Sequence, residues 1–396
     1  MAFRNIIRHR RRSFFTALMI IGAFTFFSVS LGMVEGSYSR IIDMFTGNKT
    51  GHIQIHGKGY IDKPSIYNTL NDHDAIADTL ENIEGIEAWT PRMFAPALAF
   101  VNTKTTGVSI RGIDPERESR TTRIRGKLID GEYLSAEPQM EVMLSKPLAR
   151  ILNAEPGSEV VLIGQGADGS VANDIFTVSG IVNEEDRGSL YMHIEIAGEF
   201  IYLQGKVHEI AVILREHEAS REMAGKIENI INDPGIEVLP WQQIEKGFYR
   251  AMEMDKQGNW ITQFIIMFIT ALGVLNTVLM SILERTREFG VLRALGTRPH
   301  QIFALILSEA SMLSIIGIVG GIVFSIATNQ YLSVYGIALP EPVALEGMKF
   351  ESYVSKVTAM TIYLPAVVTF VVAVGVSVFP AIRAARIMPV DALRAN

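Results

Sequence analysis

Four long apolar runs dominate the hydrophobic pattern of the chain, and polar sequence separates each run from the next. An α-helix needs about 20 residues to cross a hydrocarbon core of about 30 Å, and each run is long enough. The pattern therefore predicts four membrane-spanning helices: Ser13–Val34, Trp260–Leu283, Ile302–Ala327 and Met360–Phe379. A cleaved signal peptide is the alternative for the first run. Because that run exceeds the usual apolar length of about 7–15 residues in signal peptides, we expect it to remain as an anchor.

Residues 35–259 show shorter, mixed periodicities, which are typical of a globular domain. Alternating apolar and polar positions predict strands at Gly51–Gly57, Ala88–Met93, Ala97–Asn102, Val108–Ile113, Glu159–Gly164, Ile175–Val182, Val207–Leu214 and Gly235–Leu239. Helical spacing predicts helices at Asp72–Ile83, Met143–Leu152, His193–Tyr202 and Ser220–Ile231. We expect an integral membrane α-helical protein with a large α+β domain (35–259) inserted between the first two spanning helices. A β-rich subdomain is expected at about 115–205 within it.

Positive charge is concentrated in the short segments next to the apolar runs. Residues 1–12 contain five Arg and no acidic residue, the loop 284–301 contains four Arg, and the tail 380–396 contains three. Residues 35–259 carry 22 Lys and Arg against 35 Asp and Glu, a net charge of −13. Because Arg-rich segments stay cytoplasmic, both termini and 284–301 are predicted inside, with 35–259 and the loop 328–359 on the other side of the membrane. Residues 1–12 are expected to form an amphipathic helix on the inner membrane surface.

Composition agrees with a membrane protein and excludes several kinds of site. The mean hydropathy is +0.24 and 48% of residues are hydrophobic, which is high for a soluble protein. The absence of Cys excludes disulfides, thiolate metal sites and Cys nucleophiles. No G-x-x-x-x-G-K-[ST] phosphate-binding loop occurs, so ATP that drives this protein would be hydrolysed by another chain. His52 and His56 would lie about 13 Å apart on a strand, so we predict no metal site, and no pattern predicts a catalytic site.

A few residues inside the predicted spans are candidates for special roles. Glu309 lies about two turns inside the third run, where a carboxylate either faces the bundle interior for a functional reason or pairs with a base such as Arg4 or Arg8 near the inner interface. Asn276 in the second run is an intramembrane candidate that can hydrogen-bond between helices. Gly317 and Gly321 form a small-xxx-small pair, which predicts close helix packing.

The segment 284–298 joins the second and third runs and combines Arg side chains with apolar positions. Each Arg would cost about 2.5–3.5 kcal/mol at the bilayer centre, so the segment is predicted to lie at a membrane face. Its apolar side is expected to dock on another surface through Phe289, Val291, Leu292 and Leu295.

The residues of this segment and its flanks carry a family resemblance. LNTVLMSILERTREFGVLRALGTRPHQI (275–302) closely resembles the signature of the FtsX/MacB-type ABC transporter permeases, the type VII or mechanotransmission superfamily. Four further stretches are similar to parts of that family: MAFRNIIRHRRRSFFTALMIIG (1–22), VSIRGIDPE (108–116), EVMLSKPLARILNAEPGSEVVL (141–162) and FPAIRAARIMPVDALR (379–394).

The resemblance implies a permease subunit without an ATPase site of its own. Its coupling helix, 284–298, would meet the partner ATPase through Glu284, Arg285, Arg287, Glu288, Phe289, Arg293 and Gly296. Two permease subunits, identical or homologous, would pair with two ATPase subunits, which bind the ATP and Mg²⁺, and the permease itself would bind no cofactor. Motion would pass to the periplasmic domain through stiff helices at Glu35–Met44 and Trp241–Trp260.

The resemblance also implies a substrate class. GHIQIHGKGYIDKPS (51–65) is similar to the lipoprotein-release permeases of the LolC/LolE type, which have four spans and a separate ATPase. We therefore expect an inner-membrane permease that extracts lipoproteins or other amphiphiles, with a periplasmic acceptor protein as a further partner and no nucleic acid. Two alternatives stay open: a MacB-type exporter of peptides or drugs with a split ATPase, and a non-transporting transducer that regulates a cell-wall hydrolase.

Overall fold

A computed structural model describes residues 10–71, 73–345 and 348–387, with the backbone alone at 12, 342–345 and 348–349. The surface helix predicted for 1–12 lies largely outside these residues, as do Arg4, Arg8 and the end of the predicted tail. The chain divides into two compact units. A helical unit comprises 10–40, 251–341 and 351–387 of the described residues, and an extramembrane unit comprises 41–250 with part of 342–350.

The helices and strands are numbered in chain order. The α-helices are α1 Arg10–Phe45, α2 His73–Glu81, α3 Pro115–Thr121, α4 Lys146–Leu152, α5 Ile194–Phe200, α6 Ser220–Ile231, α7 Trp241–Ile244, α8 Lys246–Glu284, α9 Thr286–Ala294, α10 Pro299–Tyr335 and α11 Ala359–Ala385. The strands are β1 Ile53–Gly57, β2 Ile86–Val101, β3 Lys104–Ile113, β4 Leu128–Gly131, β5 Glu141–Ser145, β6 Glu159–Gln165, β7 Val171–Val182, β8 Ser189–His193, β9 Glu209–Leu214, β10 Ile236–Pro240, β11 Ile337–Leu345 and β12 Met348–Tyr353.

Four helices of the helical unit, α1, α8, α10 and α11, are long and apolar enough to cross a membrane, as the sequence predicts. Two of them extend well past the apolar runs, since α1 continues to Phe45 and α8 begins at Lys246. The helix predicted from Trp241 is interrupted, because Glu245 leaves helical geometry between α7 and α8. The predicted loop 328–359 contains the last turns of α10 and the β11–β12 pair.

The helical unit has two apolar cores, one around the middle of α10 and one at its start. The first contains Ile20 and Phe24 of α1 with Val274, Ile318 and Ala373. The second surrounds the junction of α8, α9 and α10, and its buried members are Ile282, Phe289, Ile302, Ile306, Ala381 and Ala384. All four spanning helices contribute to the first core, and α9 joins the second.

A ten-stranded sheet organises the extramembrane unit. Strand β2 pairs with both β3 and β6, and the pairings β6–β7, β7–β5, β5–β8 and β8–β3 close six strands into a barrel. Apolar side chains from these strands and from α4 and α5 fill a single core. Because β2 and β3 precede residue 115, the β-rich segment 115–205 is not self-contained in this structure.

The same sheet continues beyond the barrel as a flat extension. Strand β9 pairs with β2, β1 with β9, and β10 with β1, all antiparallel. Helices α2 and α6 pack on this extension over a second core that includes Ile53, Leu80, Val212 and Ile227. The segments of both ends of the domain therefore meet in one sheet.

Two element predictions are wrong in a physically instructive way, and one strand was not predicted. The run Met143–Leu152 begins as strand β5, whose side chains are buried between β7 and β8, so its apolar pattern is continuous instead of alternating. Helix α4 starts only at Lys146, next to Pro147. Pro91 and Pro96 do not split the predicted pair of strands, because β2 runs through both prolines to Val101. The helix predicted at His193–Tyr202 is present as α5, Ile194–Phe200. Strand β8, which precedes it, was not predicted.

Candidate functional site: the segment between the second and third spanning helices

The chain makes a sharp break where α8 ends. Glu284 is the last residue of α8, and Arg285 has φ −109° and ψ 13°, outside helical geometry. Helix α9 then runs only to Ala294, so the predicted coupling helix of 284–298 is a nine-residue helix with non-helical residues on each side. The turn after α9 contains Gly296, whose φ of +94° lies in the left-handed region that favours glycine. In the same turn the Thr297 N–H donates a hydrogen bond of 3.0 Å to the Leu292 carbonyl. Gly296 therefore shapes the turn into α10.

The apolar side of α9 is anchored in its own chain. Phe289 is 1% exposed and packs with Ile302, Ile306 and Ala384, and Leu292 lies against the same cluster. Burying a Phe side chain contributes about 1.5–3 kcal/mol, which fixes α9 on the ends of α8, α10 and α11. Phe289 was predicted to meet a partner ATPase, but its ring is buried in the core that α9 shares with α8, α10 and α11 of this chain.

An ion cluster fixes the break between α8 and α9. The Arg285 guanidinium donates from Nε to Glu288 at 3.0 Å and from Nη1 to Glu309 at 3.0 and 3.2 Å, and it lies 5.1 Å from the centre of the Phe289 ring. Arg285 is only 7% exposed. Glu309 thus pairs with a base, as one of the two interpretations expected, but the base is Arg285. The predicted alternatives Arg4 and Arg8 lie outside the described residues.

The opposite side of α9 is open. Arg287, Val291 and Leu295 follow one another at helical spacing, and Val291 and Leu295 are 44% and 79% exposed. Glu284, Glu288 and Arg298 are exposed beside them. We call Arg287, Val291 and Leu295 the exposed stripe. Arg293 is half-buried and donates from Nη1 to the Thr297 carbonyl at 3.3 Å. This hydrogen bond stabilises the turn between α9 and α10.

The glycines of α10 lie against α1. A Cβ on Gly317 would come within 2.6 Å of Ile20, and one on Gly321 within 2.7 Å of the Phe24 ring. The two helices therefore approach as closely as their side chains allow. Asn276, the other intramembrane candidate, is exposed on α8 and does not join this contact.

Comparisons with known proteins agree with this architecture. The MacB-like periplasmic core domain matches residues 13–230, and the FtsX-like permease C-terminal domain matches residues 260–389. The chain belongs to the FtsX/MacB family of ABC transporter permeases. The second match begins at Trp260 in α8 and includes α9 with its exposed stripe.

Several relatives resemble the permease over most of its length. It is 23% identical to the lipoprotein-releasing system transmembrane protein LolC of Neisseria meningitidis, over 96% of this chain and 94% of that protein. It is 25% identical to the macrolide export ATP-binding/permease protein MacB 2 of Aeromonas hydrophila, over 99% of this chain but 60% of that protein. The crystal structure of the periplasmic region of MacB from Actinobacillus actinomycetemcomitans matches 53% of the chain with 19% identity and a TM-score of 0.39.

A polar cluster at the Tyr335 end of α10 is a feature that the sequence did not predict. Asn329 is 1% exposed, donates to Ser28 at 3.3 Å and accepts from Ser355 at 2.6 Å. The backbone N–H of Lys356 donates to the carbonyl of Gly32 at 3.0 Å. The segment before α11 is thereby tied to α1. Gly32 and Gly36 leave room for it, because a Cβ on Gly32 would come within 2.5 Å of Ser355 and one on Gly36 within 2.6 Å of Lys356.

Gln263 of α8 is a second missed residue. Its side chain is 2% exposed, and neither its amide nitrogen nor its amide oxygen has a hydrogen-bond partner among the described residues. A buried amide without a hydrogen-bond partner lowers the free energy of unfolding by about 1–3 kcal/mol, so Gln263 destabilises the fold at this position. A single polar residue in an apolar run gives no signal of this burial.

A buried ionic network lies in the extramembrane unit. Arg92 of β2 binds Glu118 through two bonds of 3.0 and 2.7 Å and Glu209 at 2.8 Å, and it also donates to the carbonyl of Lys49. Burial alone would lower the pKa of Arg92, but the carboxylates of Glu118 and Glu209 outweigh it and raise the pKa. The network therefore links Lys49, which follows α1, to β2, α3 and β9. Its Arg92 side chain stays protonated because the pKa is raised.

Proposed function

We propose that this chain is the permease subunit that couples ATP hydrolysis on a separate ATPase to movement of its extramembrane unit, and that its substrates are lipoproteins. The observation that carries the proposal is the exposed stripe on α9, which is held rigidly by Phe289 and the Arg285 cluster while its outer side remains open. A helix with an anchored face and an open apolar face is suited to receive a partner. Membership of the family implies an ATPase as that partner.

The proposed orientation follows from charge. The Arg-rich ends and the 284–301 segment lie in the cytoplasm, where an ATPase can reach the exposed stripe, and the acidic domain lies in the periplasm. Motion received at α9 passes along α8 and α1, which continue as helices beyond the apolar runs. The permease is proposed to act as a dimer with two ATPases in the bacterial inner membrane, with ATP and Mg²⁺ bound on the ATPase.

The lipoprotein substrate is supported by sequence extent. The LolC relative, named a lipoprotein-releasing protein, matches along nearly its whole length, whereas the MacB relative is longer and this chain spans 60% of it. The faces of α1 and α8 add a physical argument. Phe264, Ile265 and Phe268 of α8 and Phe26 of α1 are more than half exposed, which leaves apolar surface for acyl chains or for a second permease.

The coupling step is tested by a charge on the exposed stripe. Leu295→Asp should weaken binding of the co-purified ATPase at least tenfold, because an acidic group replaces an apolar contact. Binding is measured by surface plasmon resonance with the permease in nanodiscs. Val171→Asp is the matched control, because Val171 is 73% exposed on β7 and lies outside the segment. Equal binding of the Leu295→Asp variant and the wild type would reject α9 as the docking element.

A MacB-type exporter of peptides or drugs is the second candidate, since the MacB 2 relative matches 99% of this chain. It predicts that deletion of the gene increases sensitivity to amphipathic compounds and leaves lipoprotein localisation unchanged. A hydrolase-regulating transducer would instead bind a cell-wall hydrolase and transport nothing. Mislocalised lipoproteins in the deletion strain distinguish the first proposal from both.

A further inference from the structure

A short segment between β12 and α11, residues 354–358, lies across the half of α1 that is nearest Phe45. We call this segment the strap. Helix α8 leads directly into α9, whereas the whole extramembrane unit separates α1 from α8 along the chain. Within the helical unit, movement of α9 can therefore reach α1 only through non-covalent contacts.

Four hydrogen bonds among the described residues join the strap to α1. They run from Lys356 N to the Gly32 carbonyl (3.0 Å), from Ser37 Oγ to the Val354 carbonyl (3.2 Å), from Thr358 Oγ1 to Glu35 Oε2 (3.2 Å) and from Lys356 Nζ to Ser39 Oγ (3.4 Å). The residues of α1 in these bonds span about two helical turns. Because the bonds are spread along the helix, they fix the direction of α1 as well as its position.

Asn329 attaches the strap to α10. Its side chain is 1% exposed, accepts a bond of 2.6 Å from Ser355 of the strap and donates one of 3.3 Å to Ser28 of α1. The Ser355 N–H also donates to the Leu332 carbonyl at 3.3 Å. A buried amide whose oxygen and nitrogen both have partners favours one arrangement of the groups that it joins. The strap, α1 and the last turns of α10 are therefore held together by one hydrogen-bonded network.

Two glycines of α1 make this close contact possible. A Cβ on Gly32 would lie 2.5 Å from Ser355 Oγ, and one on Gly36 would lie 2.6 Å from the backbone nitrogen of Lys356. The contact at Gly36 meets the backbone of the strap, which cannot turn away by changing a rotamer. A side chain at position 36 would therefore displace the strap.

Helix α8 is attached to the same half of α1 in a different way. Ser30 Oγ donates to the Asn259 side chain at 3.4 Å, and the Tyr38 hydroxyl donates to Asp255. These bonds join side chains, which can change rotamer while both helices stay in place. The bond from Lys356 N to the Gly32 carbonyl joins two backbones, so it breaks only if the strap moves away from α1. The strap is therefore the firmer of the two attachments.

We propose that the strap transmits movement of α10 to α1, so that these two helices move together. The inference rests on the proposed function, in which an ATPase moves α9. Because α9 shares a core with α10, the strap adds a route to the extramembrane unit beside the direct one through α8. Gly36 and Asn329 are then positioning residues, since they act through the strap.

The first test replaces Gly36 in proteoliposomes that contain the permease and its co-purified ATPase. Gly36→Ala should release at least tenfold less lipoprotein per ATP hydrolysed than the wild type, with an unchanged rate of hydrolysis. Gly22→Ala is the matched control on the same helix, because a Cβ at Gly22 has nothing within 4 Å, and it should release lipoprotein as the wild type does. Equal release per ATP by the two variants would overturn the proposal.

The second test needs no lipoprotein. Spin labels are placed at Arg40→Cys on α1 and Gln330→Cys on α10, both exposed positions in a chain that has no other Cys. Double electron–electron resonance should give the same distance between the labels before and after ATP is added, whereas in the Gly36→Ala background ATP should change it. A distance that changes with ATP when Gly36 is intact would overturn the proposal. If the wild type retains its lipoprotein while both label distances behave as expected, the proposed function fails and the role of the strap is supported.

Discussion

The Arg285–Glu309 pair allows a quantitative test of how α9 is held. The two side chains are 8% and 14% exposed, and the guanidinium lies 3.0 Å from the carboxylate. Removing one partner of a buried pair costs about 3–5 kcal/mol, because the other charge loses its compensation. Since Glu309 keeps some exposure, we take the lower end of that range, about 3 kcal/mol.

A double-mutant cycle measures this energy. Arg285→Met and Glu309→Met should each lower the free energy of unfolding by about 3 kcal/mol, and the double variant by about the same amount, which gives a coupling energy of about 3 kcal/mol. Unfolding is followed by denaturant titration of the chain in detergent micelles. Arg287→Met, on the exposed stripe, is the control and should change stability by no more than about 0.5 kcal/mol. Single effects that add to within about 0.5 kcal/mol would refute the pair as the anchor of α9.

Three further predictions concern other parts of the permease. Gly321→Ala should lower the free energy of unfolding by about 1–3 kcal/mol, because the new methyl group would overlap the buried Phe24 ring. Gly375→Ala is the control and should not lower it, because a Cβ at Gly375 has nothing within 4 Å. Equal effects of the two variants in thermal melts would contradict the close packing at Gly321. Gln263→Leu should raise the free energy of unfolding by about 1 kcal/mol, because it removes an unpaired amide, and a decrease would show that the amide has a partner. Burial, together with the nearby His217, lowers the pKa of His52 to about 4 in the folded chain. Between pH 6.5 and 4 the unfolded chain therefore binds a proton that the folded chain does not, and the free energy of unfolding should fall by up to about 3 kcal/mol as the pH drops through this window. Thermal melts of His52→Asn over the same pH range should show a smaller fall.

The sequence predicted features that depend on long or repeated patterns. Four runs of spanning length specified α1, α8, α10 and α11, because no soluble core requires such lengths. The second apolar run, which ends at Leu283, predicted the end of α8 at Glu284 to within one residue. Gly317 and Gly321 were singled out by spacing, and they lie against α1 in the structure.

Features that depend on tertiary neighbours were not predictable. Phe289 and Leu295 are both apolar residues of one amphipathic segment, and only the packing against α8, α10 and α11 decides that the first is buried and the second exposed. The pairing of Glu309 with Arg285 joins residues 24 positions apart across a chain reversal. Strand β5 was read as helix because a barrel buries both of its faces, which removes the alternation that identifies a strand.

The most direct test of the proposed function is release of a triacylated lipoprotein from proteoliposomes that contain the permease and its co-purified ATPase. The proposal predicts that ATP transfers the lipoprotein to the soluble fraction in the presence of a periplasmic acceptor. It also predicts that Leu295→Asp abolishes this transfer, while Val171→Asp supports it fully. Lipoprotein that stays in the membrane while the wild-type complex hydrolyses ATP would contradict the proposal.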